Sequence, residues 1–375
     1  MTDVGRVLIV GGGPAGMTAA IALARSGIAA EIVEIEDDWR PAGVGLLLQS
    51  PPLRALKTLG LYEQCVAAGE PHAAIELFGS HGDPVGTFPQ FNVNEPEAPP
   101  SVAMSRVTLH GILVDALREL GTPVRTGTTV ARLAQDRDGV DVELTDGSRE
   151  RFDLVLGADG LHSRIRGMVL PGGAEPSYTG QVIWRGAFER PAELDGYRII
   201  IHGPHRLGLV PLSATTGYIW MLDSTMPLER PPREALVDLW QERLANYPSP
   251  VPAVAAQLRE PDRVDFRALQ TLLLPPPWHS GRVVLVGDAA HATSPQLAFG
   301  IGLAIEDAVV LADLLRSEPV LSDALGTFTE RRFPRCRLVV QNSRRLGEWE
   351  QHPDAPGADP IALIRESMST LAQPI

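Results

Sequence analysis

Three apolar runs in this chain end in glycine, and two of those ends carry an aspartate. VLIVGGG spans residues 7–13, DLVLGADG spans 153–160 and VVLVGDAAH spans 283–291. Such runs suit buried strands whose exits gather backbone N–H groups and carboxylates at one sheet edge, where open α/β sheets bind their ligands. The first run continues as Gly11-x-Gly13-x-x-Gly16, then a helical stretch of small residues, MTAAIALARSGI, then a second apolar run with Glu34 eighteen residues beyond Gly16. This strand–loop–helix–strand–acid order separates a dinucleotide fingerprint from a chance cluster of glycines. Gly11 and Gly13 permit a tight turn and close backbone approach, and Gly16 lets the helix sit near the strand. Unpaired N–H groups at the helix start then meet a pyrophosphate. Glu34 is placed to accept the adenosine ribose hydroxyls. A glycine turn that merely tightens packing leaves Glu34 unexplained. The loop does not choose between FAD and NAD.

Asp159 and Asp288 are both expected at the same edge, although an aspartate after glycine often serves only as a helix cap or turn residue. After Asp288 the chain reads AAHATSPQLAFGIGLAIEDAVVLADLL. Pro295 stops the run, Gly300 and Gly302 free the backbone, and an amphipathic helix begins around Ile301. A second helix N-terminus therefore points at the crevice, and its partial positive charge suits an anion such as a reduced isoalloxazine ring.

GGGPAG with Glu34, GADGLHSRIR at 157–166 and GDAAHATSP at 287–295 resemble, in order and spacing, the three signatures of the single-component FAD-dependent aromatic hydroxylases. These are the class A flavoprotein monooxygenases, para-hydroxybenzoate hydroxylase-like, and the resemblance covers about residues 5 to 345. It implies FAD held by Gly11, Gly13, Ala15, Gly16, Glu34, Asp159, Asp288, Pro295, Gly300, Ile301 and Gly302. It also implies Arg106 against the flavin and the backbone near Val130 against the adenine. Two departures fall where that family's flavin meets its substrate. Ala298-Phe299-Gly300 replaces a common Gly-Gln-Gly, and Ser50-Pro51, after Gln49, replaces a common Pro-Asn. A relative's substrate therefore does not transfer.

The fold expected is α/β: a Rossmann-like FAD-binding domain of glutathione-reductase type with an inserted antiparallel-sheet substrate domain and a C-terminal helix. Residues 1–73, 104–174 and 278–345 are assigned to the first, 74–103 and 175–277 to the second, and 346–375 to a helical extension. The inserted part shows short strand-like runs, QVIWRGAFE, YRIIIHG, RLGLVPL and GYIWMLD, separated by turn residues. AAIELFGSHGDPVGTF, at 73–88, is expected to pair with them. Gln49, Trp184, Trp220 and Phe299 are the candidate substrate contacts. Adjacent strand residues face opposite sides, so one of Trp184 and Arg185 can line the ligand while the other is structural. Arg185 would steady an anionic ring substituent, and His202 or Tyr218 would shift a phenolic proton. Each also has a plain reading as a core or solvated strand residue.

The 375 residues, with 44% hydrophobic and 21% charged, describe an ordinary globular chain of about two domains. A net charge of -13 without a basic stripe argues against nucleic acid. The two cysteines, Cys65 and Cys336, form no metal or disulfide pattern. Lys57 is the one lysine, beside Arg54 on a partly exposed segment, which discounts Schiff-base chemistry. No apolar run reaches the roughly 18 residues that span a bilayer, and no signal core precedes Val7, so a cytoplasmic monomer or homodimer is expected. No second dinucleotide loop is seen, so NADH or NADPH is expected as a transient reductant, with the loops at 41–45 and 300–302 letting the flavin swing outward.

The reading is an NAD(P)H- and O2-dependent FAD monooxygenase that hydroxylates a small electron-rich aromatic or N-heteroaromatic ring. By the resemblance, it works through a flavin C4a-hydroperoxide. Rival readings are the same chemistry turned to epoxidation, Baeyer–Villiger oxidation or decarboxylative hydroxylation, a flavin-binding protein without turnover, and an NAD-dependent dehydrogenase using the first loop alone.

Overall fold

The computed structural model describes residues 2–41, 43–170, 172–203 and 205–375. The three glycine-ended runs become neighbouring parallel strands. Arg6–Val10 lies between Ala29–Val33 and Leu154–Gly157, and Leu154–Gly157 pairs in turn with Val283–Leu285. Val10 stands opposite Gly157, and Gly157 opposite Leu285, so all three chains leave the sheet at one edge. Val7, Leu8 and Ile9 are fully buried, which is why the runs read as continuously apolar rather than alternating. The short strands Val124–Arg125 and His279–Ser280 close the sheet's two sides.

Helix Pro14–Arg25 starts from this edge and packs against helix Gly300–Ser317. Gly11 has φ +110°, and a Cβ on Gly16 would lie 1.9 Å from the Gly11 carbonyl oxygen. Neither position admits a side chain without moving backbone.

The second large sheet has seven strands. They run in the order Asp265–Thr271, Ser177–Glu189, Thr216–Asp223, His205–Pro211, Tyr197–His202, Ala74–Phe78 and Pro84–Pro89. All neighbours are antiparallel except Tyr197–His202 with Ala74–Phe78. The 73–88 run thus joins this sheet as a hairpin at its edge. One face carries Trp184, Ile200, Leu207, Met221 and Phe266 into a core with Trp240 of helix Leu236–Leu244. The other face packs Tyr197, Val210, Tyr218 and Trp220 against Val44, Leu47 and Ala103, the last on strand Ser101–Ser105, which pairs with Gly45–Gln49 and not with this sheet.

Helix Leu321–Gln351 runs for 31 residues with Pro334 inside it. The boundary expected between 345 and 346 therefore falls within a helix, and the polar link begins only at His352. Helix Pro360–Leu371 then packs back on the long helix, with Leu371 fully buried.

Candidate active site

The site is built where the sheet edge faces the inner side of the seven-stranded sheet. At the first exit, Gly13 caps helix Pro14–Arg25 in an extended conformation, and a Cβ there would meet nothing within 4 Å. The opening helical N–H groups face this space, as an anion cradle requires. Ala15, in the first turn, backs onto Gly287 of the third exit. Glu34 is already engaged: its Oε2 accepts the Gly12 N–H at 2.7 Å and its Oε1 the Glu36 N–H at 2.9 Å. Trp39 folds over the same glycine, donating its indole N–H to the Gly12 carbonyl at 2.7 Å with an unusual φ of +39°. Its ring meets His110 edge-on at 5.0 Å, and a cavity of about 510 Å³ opens beside it. Val130 is buried at the start of strand Val130–Gln135, just after Thr128, whose N–H bonds the Glu34 carbonyl.

The two aspartates part company. Asp159 accepts from the Ser163 hydroxyl and from the backbone N–H groups of Arg164 and Ile165, at 2.7 and 3.1 Å. Its carboxylate starts helix Arg164–Val169 and shapes the loop behind Gly11. Asp288 accepts no protein hydrogen bond among the described residues. It keeps an exposed surface although protein encloses it on most sides, the signature of a group on the wall of a deep cleft. That enclosure pushes its carboxyl up, while His291 and Arg106 act in the opposite direction.

Arg106 opens helix Arg106–Glu119, which Ser105 caps through Thr108. Its Nε is buried with no acceptor among the described residues. Burial, with Arg185 beside it, pushes the guanidinium below its ordinary value. Arg185, in contrast, is paired to Asp265 through Nε at 2.7 Å. Tyr218 sits between these cations, 8% exposed, with its ring so close to Gly45 that a Cβ there would lie 2.6 Å away. Burial pushes its phenol up to about 12, so at neutral pH it is a proton-bearing donor rather than a base.

Helix Gly300–Ser317 ends this cleft. Its first internal bond runs from the Leu303 N–H to the Phe299 carbonyl, which leaves the N–H groups of Gly300, Ile301 and Gly302 free of helical partners. Pro295 begins the 3-10 turn ahead of it, and Ala298 takes a left-handed φ of +50°.

Behind the third exit lies a buried charge network that sequence reasoning missed. Asp307 accepts the Gly287 N–H at 2.9 Å, pairs with His291 Nε2 at 2.6 Å and takes Arg332 Nε at 2.8 Å. Arg332 also meets Glu306, which Arg335 holds through both oxygens. Burial alone would raise the Asp307 carboxyl, but His291 and Arg332 outweigh it and hold it at about 2. His291 is correspondingly raised well above 6.5, its burial overcome by Asp307. His291, Asp307 and Cys336 lie close enough to suggest a metal site, yet both Asp307 oxygens already have protein partners. The signal was present as Glu306-Asp307 inside an apolar helix with Arg332 downstream.

Three expected contacts are corrected. Trp184 is 0% exposed and stacks on Trp240 at 5.3 Å, so within the Trp184–Arg185 pair the arginine faces the cleft. Phe299 is 1% exposed in the core of the first unit, under Arg335. His202 shares the helix-covered face with Ile200 and packs edge-on against Tyr247 at 4.9 Å, away from Tyr218. Gln49 donates to the Leu297 carbonyl at 2.7 Å and so braces the 295–297 turn. Trp220 does lie on the inner face, partly buried beside Tyr197 and Tyr218. Within the expected hinge at 41–45, Ala42 lies outside the described residues.

A glycine loop at a parallel sheet edge, a half-buried arginine without a partner among the described residues and a second open helix N-terminus define a dinucleotide-binding flavoprotein. The chain belongs to the FAD binding domain family, which it matches over residues 5–343. It is 32% identical, over 92% of its length and 90% of the relative's, to the aurachin C monooxygenase/isomerase of Stigmatella aurantiaca. It is 31% identical, over 92% and 90%, to the 2-heptyl-3-hydroxy-4(1H)-quinolone synthase of Pseudomonas aeruginosa. Among solved structures, Klebsiella pneumoniae HpxO complexed with FAD and uric acid aligns with a TM-score of 0.84 at 26% identity, covering 99% of this chain and 94% of that one. The protein is an FAD-dependent enzyme of the monooxygenase type. No helix among the described residues is long and apolar enough to cross a membrane.

Proposed function

We propose that this chain uses FAD, NADH or NADPH and O2 to hydroxylate a small electron-rich aromatic or N-heteroaromatic ring. Reductant, one proton, O2 and the ring C–H give oxidised nicotinamide, water and a ring C–OH. The observation that carries the reading is Arg106, a half-buried cation whose buried Nε has no partner among the described residues, at the point where Asp288 and the second sheet converge. An orphaned buried charge is costly, and it is kept where a ligand completes it.

FAD, when bound, supplies the redox chemistry of oxygen activation. The chain's own residues bind and orient it. Gly11, Gly13, Ala15 and Gly16 would hold the pyrophosphate, Glu34 the ribose and the backbone at Val130 the adenine. Asp288 and Pro295 flank the ribityl side. Arg106 and the free N–H groups of Gly300, Ile301 and Gly302 stabilise negative charge on the ring system. Trp220 and the apolar inner face of the sheet exclude water. Arg185 steadies an anionic ring substituent, and Tyr218 donates a hydrogen bond without taking a proton. The protein acts as a cytoplasmic monomer or homodimer.

Anaerobic reduction of the holoprotein by NADH and NADPH, followed at the flavin absorbance band, tests the reading. Phenols, hydroxypyridines, quinolones and benzoates are added in turn. Ligand-accelerated reduction, with a hydroxylated product once air is admitted, is the expected result. A protein that binds FAD but accepts no electrons under any of these conditions is a flavin binder without turnover, and the proposal is then wrong.

A further inference from the structure

Three polar side chains from distant parts of the chain meet at the end of the cleft away from Arg106. Gln181 Nε2 and Gln296 Nε2 both donate to Glu350 Oε2, each at 3.1 Å, and Gln296 Nε2 also reaches Gln181 Oε1 at 2.8 Å. Gln181 belongs to strand Ser177–Glu189, Gln296 to the turn before helix Gly300–Ser317, and Glu350 to the last turn of the long helix. Gly347 makes the meeting possible, since a Cβ there would come within 2.8 Å of Gln181 Oε1.

Strand alternation places Gln181, Ile183 and Arg185 on one face, opposite Trp184 in the core. Ile183 pairs with Leu222 and Leu222 with Arg206, so Arg206 lies on the same face, and its charge acts on Glu350. The inner face therefore runs from the Arg106–Arg185 end, past Ile183, Trp220 and Leu222, to this carboxyl–amide end. Four residues of strand separate Arg185 from Gln181, about 13 Å, a span longer than a two-ring system.

The cluster is not a closed structural strut. Gln181 is 1% exposed and its amide is fully used, adding a bond to Ser224 at 3.3 Å. Gln296 Oε1 is instead buried with no donor. Glu350 takes both amides on Oε2, which leaves Oε1 without a donor among the described residues, and the side chain is partly accessible though closely enclosed. One buried acceptor without a donor and a neighbouring carboxylate oxygen open to solvent ask for a ligand that donates.

We infer that Gln296 and Glu350, braced by Gln181, form a specificity wall that accepts hydrogen bonds from a donor edge of the substrate: a ring N–H, an amino group or a ring hydroxyl. The inference rests on the proposed aromatic hydroxylase reading and narrows its substrate to rings carrying such an edge. Burial also pushes the Glu350 carboxyl up, against the two amides, consistent with a group kept from bulk water.

The test uses the FAD-loaded protein and matched probes that differ by one N-methyl group: 4-quinolone, 2-quinolone and 2-pyridone, each against its N-methylated mate. Binding is read from the flavin spectrum, and the ratio of dissociation constants within a pair is the observable. Wild type is expected to favour the N–H member of at least one pair by about tenfold or more. Gln296→Met and Glu350→Met should bring that ratio to within about twofold of unity, and Glu350→Gln, which keeps an acceptor, should retain most of it. A wild type that prefers no N–H member overturns the inference. So does a ratio that survives both methionine variants while the melting temperature falls, which would make the cluster a strut between the two units. Failure of the parent reading looks different: discrimination persists, but the flavin is never reduced by nicotinamide.

Discussion

Replacing Arg106 by methionine should move stability and cofactor affinity in opposite directions. Methionine keeps most of the apolar stem while removing a guanidinium that has Arg185 beside it and no acceptor for its buried Nε. Stripping a partner from a buried pair costs several kcal/mol because a charge is left uncompensated. Here the charge is uncompensated in the apoprotein already, and with some water reaching it the relief is about 1 kcal/mol. With FAD present the sign reverses. A hydrogen bond to a charged group contributes about 1.5–3 kcal/mol, which corresponds to roughly ten- to a hundredfold in Kd. At an FAD concentration near 100 times the wild-type Kd, the ligand adds about 2.7 kcal/mol to the wild type. A thirtyfold weaker variant gains only about 0.9 kcal/mol at the same concentration. The melting curves should therefore cross: the variant melts higher without FAD and lower with it. The assay is thermal unfolding of apo and reconstituted protein over an FAD titration. An apoprotein destabilised by the substitution, with unchanged FAD affinity, would show that Arg106 serves packing alone and refute the reasoning.

Three further outcomes are expected. Asp307→Asn leaves His291 and Arg332 without their shared carboxylate and should cost about 3–5 kcal/mol. Because the Asp307 carboxyl is held at about 2 against an ordinary 3.8, its contribution is complete above about pH 4 and is lost as the pH falls from there toward 2. His291, raised above 6.5, contributes fully below that value and loses its share as the pH climbs through the raised one. Melting temperature against pH should show a shallower acid limb in the variant, and identical limbs would exclude the pair as the source. Trp39→Phe removes the indole bond to the Gly12 carbonyl, so FAD should bind the released loop about two- to tenfold more tightly, measured by titration of the apoprotein with FAD. Ala298→Gly relieves a left-handed alanine at φ +50° and should raise stability by about 1 kcal/mol, measured by urea unfolding.

The cofactor half of the site was legible because its determinants are short-range. A strand, a glycine turn and a helix are consecutive in the chain, and the steric demand at Gly16 comes from Gly11 and Ile9 just before it, whereas that at Gly11 comes from the distant Ala158. Sheet order then follows from burial of three similar apolar runs side by side. Alternation likewise required Trp184 and Arg185 to face apart.

What sequence could not decide was which face each unit presents to the other. Trp184 goes inward because Trp240 and Phe266 cover that side of the sheet, and Arg185 is left to the cleft. Phe299 occupies a core position because helix Gly300–Ser317 rolls it under Arg335. Asp159 and Asp288 follow near-identical motifs, and only the neighbouring helix start, which claims the first and leaves the second, tells them apart. Gln296 and Glu350 are 54 residues apart and Gln181 is 115 residues before Gln296, with nothing local to link them. Spacing along the chain determines what a turn or strand can do by itself. Contacts between side chains on separate elements depend on how those elements pack, and there the substrate end of the cleft was decided.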